Sequence, residues 1–180
     1  MAGYLDNILK KTAAASTNGK YPFLPEGNHR KMTVKNLFVL VGGHNGDTAI
    51  LEVLVEESSN PEAEGQIFCS INPLQGPNKD VSYGNLKGQA QAIAASLKGS
   101  RLDADLSVSE MSELGIIGVK RGPNAPDDLK EAASEALGTP IQSNSVRVLK
   151  KGAKLPFTDD NSYVRHNWAP CFKKPVPATT

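Results

Sequence analysis

Apolar and polar residues alternate along two neighbouring stretches near the start of the chain. RKMTVKNLFVLVGG (30–43) is rich in β-branched and aromatic residues and reads as a strand. In TAILEVLVEES (48–58), Ala49, Leu51, Val53 and Val55 point to one side. Ile50, Glu52, Leu54 and Glu56 point to the other, so that face runs from apolar to charged. GGHNGD (42–47) carries three glycines and joins the two as a tight hairpin turn. After the turn SNPEAEG, QIFCSI (66–71) reads as a third strand.

The apolar period then becomes helical. In NLKGQAQAIAASLKG (85–99), Leu86, Ala90, Ile93, Ala94 and Leu97 form one stripe, and Gly99 supplies the stop. SVSEMSELG (107–115) and APDDLKEAASEALG (125–138) read as short helices, with Ser107 and Glu110 at capping-box spacing. GVKRGPN between them reads as loop. Alternation returns in SVRVLKK (145–151) and SYVRHNW (162–168), two strands joined through GAKLPFTDDN. Upstream of everything, Tyr4–Ala14 reads as a short helix and STNGKYPFLPEGNH as loop.

Three strands, a helix and two strands predict a mainly β, α+β fold: an OB-fold-like five-stranded Greek-key barrel. The helix lies between strands three and four, and a small helical insert covers about 103–138. A β-sandwich also uses short strands at turn-rich spacing. The boundaries follow: residues 1–20 are an N-terminal helix or arm, 21–170 the domain, and 171–180 a flexible tail.

Composition refines this picture in three ways. The 16 glycines and 12 prolines among 180 residues favour turns and short strands over long helices. Cys69 and Cys171 match no metal or redox spacing; one disulfide is open to them, and a reducing compartment suits them as well. No stretch is apolar enough for a membrane span, so no membrane role is expected.

Charge matters through its distribution, because the net value is only +1. Residues 1–36 hold six Lys/Arg against two acids, and 142–174 hold seven against two. Residues 47–64 hold six acids and no base, and 103–135 eight acids against three bases. If the fold joins the two basic blocks, they make one basic face; otherwise charge simply fluctuates along a solvated surface.

Signatures of catalysis are missing: no GxGxxG, Walker A, GxSxG or HExxH occurs. LVGGHNGD joins two strands rather than opening a helix, so it reads as a turn and not a phosphate loop. Asp159 and Asp160 read as a solvated turn. His44 and His166 have no evident partner. No enzyme, cofactor or metal is expected.

Binding of single-stranded nucleic acid needs cations for phosphates and rings for stacked bases. Candidate groups are Lys31, Lys35, Phe38, Phe68, Arg147, Lys150, Lys151, Tyr163 and Arg165. On the last strand Tyr163, Arg165 and Asn167 share one face, and Val164, His166 and Trp168 the other. Arg147 should project beside Arg165 if the two strands pair in suitable register. Against this, Phe38 and Phe68 are better explained as core, Trp168 as at least half buried, and Lys150 and Lys151 as solvated residues near a turn.

Several segments together resemble a known family: YPFLPEG (21–27), VKNLFVLVGGHNGDTAILEVLVEESSNPEAEG, YGNLKGQAQAIAASLKG and RVLKKGAKLPFTDDNSYVRHNWAP. Within them stand a GNLK helix start (Gly84–Lys87) and a final HNWAP (His166–Pro170). Over roughly residues 21–170 the pattern is similar to bacteriophage early-region, OB-fold single-stranded DNA-binding proteins. The resemblance implies non-catalytic, largely sequence-independent binding of single-stranded DNA in phage replication or recombination. It implies phage replication or recombination proteins as partners, allows a homodimer, and places the protein in the cytoplasm of an infected bacterial host. Such proteins commonly end in an acidic recruiting tail, whereas this sequence ends KKPVPATT, which leaves that recruitment unaccounted for. The alternative is a phage structural protein, a capsid decoration or tail-associated subunit, that uses extended termini for protein contacts.

Overall fold

The computed structural model describes residues 21–102 and 106–172. The helix expected at Tyr4–Ala14 and most of the expected C-terminal tail lie outside the described residues. The elements are β1 (Gly27–Gly43), β2 (Gly46–Ser58), β3 (Ile67–Pro73), α1 (Lys79–Lys98), α2 (Val108–Glu113), β4 (Gly118–Arg121), β5 (Pro140–Leu149) and β6 (Ser162–Pro170).

β1 organises the sheet. One of its edges pairs with β2; the other is shared by β5, along Gly27–Thr33, and by β4, along Phe38–Val41. The path is β3-β2-β1-β5-β6, antiparallel throughout, with only β4 parallel to β1. The β1–β2 hairpin turns through Gly43–Gly46, as the glycine cluster predicts.

A bulge at Lys35 sets which side chains reach the core. Val34 pairs with Val53 and Asn36 with Glu52, so Lys35 has no partner across the strand. The alternation therefore shifts by one. Met32 and Val34 point inward before the bulge, and Leu37 and Val39 after it. Those four pack with Leu51, Val53 and Val55 of β2, Phe68 of β3, and Ala90 and Ile93 of α1. Phe38 and Leu40 are turned to the opposite face, where Ile50 and Ile71 pack against them.

α1 begins earlier than the apolar stripe suggests, at Lys79, and includes Gly84. It ends as predicted at Gly99, whose left-handed backbone (φ 80°) lets its N–H bond the Ala95 and Ser96 carbonyls. Half of the expected capping box forms: Ser107 Oγ accepts from the Glu110 N–H, while the Glu110 carboxylate accepts from the Ser107 hydroxyl at 3.1 Å and not from its backbone N–H.

Three expectations are corrected. Residues 125–138 are turns, not a helix. The Arg121 guanidinium takes the Pro126 and Leu129 carbonyls at 2.6 Å each, and Ala132 exchanges backbone bonds with Val119, so the groups a helix would pair internally are used elsewhere. GVKR is strand β4, not loop; β5 covers most of the expected strand and extends it back to Pro140.

The third correction is closure: the sheet has six strands and is open, not a closed five-stranded barrel. Among the described residues β3 and β6 do not pair. Pro22–Leu24 occupies the β3 edge at Cys69 instead, through Cys69 N–H to the Pro22 carbonyl at 2.8 Å and Leu24 N–H to the Cys69 carbonyl at 3.0 Å. Farther along, Asn85 of α1 stands between the two edges: it donates to Asn72 Oδ1 on β3 at 2.6 Å and accepts from Trp168 Nε1 on β6 at 2.5 Å.

Candidate nucleic-acid interface

The β5–β6 hairpin carries most of the candidate site. Its register sets Val146 opposite Arg165, Arg147 opposite Val164 and Val148 opposite Tyr163. Directly paired residues share a face. The outer face therefore presents Asn144, Val146, Val148, Tyr163, Arg165 and Asn167. Tyr163, Arg165 and Asn167 are exposed together, as the alternation predicts.

Arg147 falls on the other face, contrary to its expected place beside Arg165. Pairing it with Val164 rather than Arg165 turns it inward. There its Nε meets Glu26 Oε1 at 2.6 Å and its Nη1 donates to Ser162 Oγ at 2.9 Å. It ties the segment before β1 to β5 and is no longer an unpaired cation.

The hairpin loop displays further basic and apolar groups. Lys150, Lys151 and Lys154 neighbour exposed Leu155 and Phe157. Asn161 holds this loop in shape: its Oδ1 accepts from the Thr158 N–H at 2.7 Å, and its Nδ2 donates to the Lys154 and Pro156 carbonyls. The turn at TDDNS is thus held by an asparagine that reaches back to Lys154, Pro156 and Thr158.

Other candidates are not drawn to this place. Phe68 is buried in the main core and Phe38 in the smaller cluster, with Lys120 Nζ 4.3 Å from its ring centroid. Neither offers a stacking plane, so both are removed from the site. Lys31 pairs with Glu56 at 3.1 Å, which raises its pKa chiefly through that hydrogen bond. Lys35 is exposed at the bulge; hydrogen bonds from Thr33 and Lys31 lower the Glu56 pKa, and the Lys35 charge adds a smaller push.

Among the described residues the two basic blocks are not joined. Lys31 lies near Met32, which pairs with Ile141, whereas Lys150 follows the far end of β5. Nine residues of strand separate those points, about 30 Å at the usual rise. Among the described residues the expected basic face reduces to Arg165 and the loop lysines beside Tyr163, with Arg30 and Lys35 exposed elsewhere.

Sequence reasoning missed a cleft. Between the facing edges of β3 and β6 lie two contiguous hollows of about 500 Å³ each, sharing Ile71, Asn72, Asn85, Tyr163, Val164 and His166. Phe23, 70% exposed, stands at the rim of one hollow, and Val81, 75% exposed, at the other. The prolines on either side of Phe23 were a local sign of extended chain; that it would border β3 was not visible without the pairing at Cys69.

The inner wall near β6 is polar. Ser143 Oγ lies 3.0 Å from Ser145 Oγ, which lies 2.7 Å from His166 Nδ1. Desolvation, with a smaller push from His29, lowers the His166 pKa to about 4. His29 is fully buried, and burial lowers its pKa too. The Pro25 carbonyl can only accept, so His29 Nε2 carries the proton and Nδ1 accepts from Ser58, both at 2.8 Å. Two neutral imidazoles are thus set behind the hairpin.

Cys69 and Cys171 are free thiols, and burial pushes Cys69 up to about 11. Among the described residues no group of three or more His, Cys, Asp or Glu is arranged to hold a metal ion, and no helix is long and apolar enough to cross a membrane.

Comparison with known proteins adds no family: no family model matches the chain, and no curated protein matches it significantly.

Proposed function

We propose that this protein is a non-catalytic, largely sequence-independent single-stranded DNA-binding protein of phage replication or recombination. The observation that carries the reading is the outer face of the β5–β6 hairpin. There an exposed phenol, Tyr163, stands two residues from an exposed guanidinium, Arg165, at the end of the hairpin that leads to Lys150, Lys151 and Lys154. Tyr163 supplies a plane for a base, Arg165 a cation or second plane, and the loop lysines meet phosphates. None of these four cations makes an ion pair among the described residues.

The topology fits the same reading. An OB-fold is a partly open Greek-key barrel that binds oligonucleotides with loops and one face. Pairing of β3 with β6 would convert this sheet into such a barrel, and the two edges already face one another across the cleft. With a net charge of +1, binding rests on local contacts and not on a general attraction to polyanions.

Titration of a labelled oligo-dT at two salt concentrations tests this. Micromolar or tighter binding that weakens steeply with salt is the expected result. No binding at low salt sinks the proposal.

A further inference from the structure

The cleft contains a buried donor with nothing to donate to. Asn72 is 5% exposed and lines both hollows, and its Nδ2 has no hydrogen-bond partner among the described residues. The orientation of its amide follows from a fixed point. Trp168 Nε1 can only donate, and it bonds Asn85 Oδ1. That sets the Asn85 amide, whose Nδ2 then bonds the Asn72 oxygen. Asn72 spends its acceptor on Asn85 and keeps its N–H groups unspent.

The surroundings suit one kind of guest. Ile71 and Val164 supply apolar patches in walls that also carry Ser70, Arg147 and His166, and exposed Phe23 and Tyr163 supply planar groups at the rim. A flat heterocycle with polar edges, one of them a hydrogen-bond acceptor, matches mixed walls, planar rims and a recessed donor.

We propose that one unstacked nucleobase enters the β3–β6 cleft and accepts a hydrogen bond from Asn72 Nδ2. This rests on the single-stranded DNA reading above and adds where one base of the strand goes. The donor lies out of reach of bulk water, so the cleft must widen to admit a base. No ladder bond joins β3 to β6 among the described residues, so widening breaks no sheet pairing. Asn85 is the side-chain link between the two edges, and a base on Asn72 is felt through it at Trp168.

Trp168 is the only tryptophan and lines the cleft side, away from the outer face of the hairpin. Its emission therefore distinguishes a base in the cleft from a strand lying only on Tyr163 and Arg165. Oligo-dT and an abasic oligonucleotide of equal length are titrated into the full chain, with anisotropy and Trp168 emission read together. The expected result is a saturable emission change with oligo-dT that tracks binding, and weaker binding of the abasic strand without that change. Asn72→Ala should weaken oligo-dT about fivefold, the worth of one neutral hydrogen bond, and leave the abasic strand unaffected. The comparison of the two strands on the unaltered protein decides the matter even if the variant folds poorly. Oligo-dT binding with silent Trp168 emission, or an equal response to the abasic strand, overturns this inference and leaves the single-strand reading standing. No binding of either strand removes both.

Discussion

The two halves of the sheet treat their inner faces in opposite ways. On β1 and β2 the inward positions are Met32, Val34, Leu37, Leu51, Val53 and Val55, all buried and apolar. On β5 and β6 the apolar Ile141 is followed by Ser143, Ser145, Arg147, Val164, His166 and Trp168, a mostly polar run wired by hydrogen bonds that reaches across to His29 and Ser58 at the start of β1 and the end of β2. Apolar burial gives the first half non-directional cohesion, roughly 25 cal/mol per Å². The second half gains little from such burial and depends on bonds whose net worth is about 1 kcal/mol each. The lesson is a division of labour: β1–β2–β3 with α1 forms the frame, and the β5–β6 hairpin is the lightly held element that presents the candidate interface.

The largest expected effect lies in the frame. Leu51→Ala should destabilise the protein by about 2–5 kcal/mol in a denaturant titration, because it removes a fully buried side chain from a packed core. A loss below about 1 kcal/mol would show that the frame is not where stability resides.

Acid should act on the buried histidines, His29 on β1 and His166 on β6. His29 and His166 are neutral in the fold with lowered pKa values, so the unfolded chain binds protons first as pH falls. Their contribution is complete above the ordinary value of 6.5 and is lost as pH falls below it, for His166 as pH drops toward about 4. For His166 the loss is at most ~3 kcal/mol. Thermal melts at intervals between those pH values should show a falling Tm, and His166→Gln should flatten the curve. A wild-type Tm constant over that window would contradict the buried, neutral assignment.

Asn85→Ala should cost about 1–3 kcal/mol by leaving the Trp168 N–H and the Asn72 oxygen without partners. It should also shift Trp168 emission in the free protein; an unchanged spectrum would mean that the link between β3 and β6 is not made in solution. The smallest effect belongs to the loop. Lys150→Ala with Lys151→Ala should leave stability within about 0.5 kcal/mol and reduce the salt slope of oligonucleotide binding by about 1.4. An unchanged slope would take these lysines out of the interface.

Much of the frame was legible in the sequence, because its signals are local. Alternation in 48–58 sorted Leu51 from Glu52 onto opposite faces, Gly99 marked the helix end, and Ser107 marked the next helix start. What failed depended on partners distant in the chain. The bulge at Lys35 reversed the facing of Phe38, and no residue near it announces that shift. Arg147 looked equivalent to Arg165 until the register paired it with Val164. The helix expected over 125–138 had a plausible apolar pattern, yet Arg121 captured its carbonyls from outside. Of the candidate interface, the exposed face of Tyr163 and Arg165 was readable from strand alternation alone. The cleft was not, since Asn72, Asn85 and Trp168 meet only when β3, α1 and β6 are assembled.

The most direct test of the central claim compares oligo-dT affinity for the unaltered chain and for a variant carrying Tyr163→Ala and Arg165→Ala, at one low salt concentration. Both residues are exposed on the outer face, so the fold should survive, as an unchanged Tm would verify. Loss of one stacking plane, at about 1–3 kcal/mol, and one cation predicts at least a tenfold drop in affinity. Equal affinity of the two proteins would contradict the account and clear the hairpin face of any part in binding.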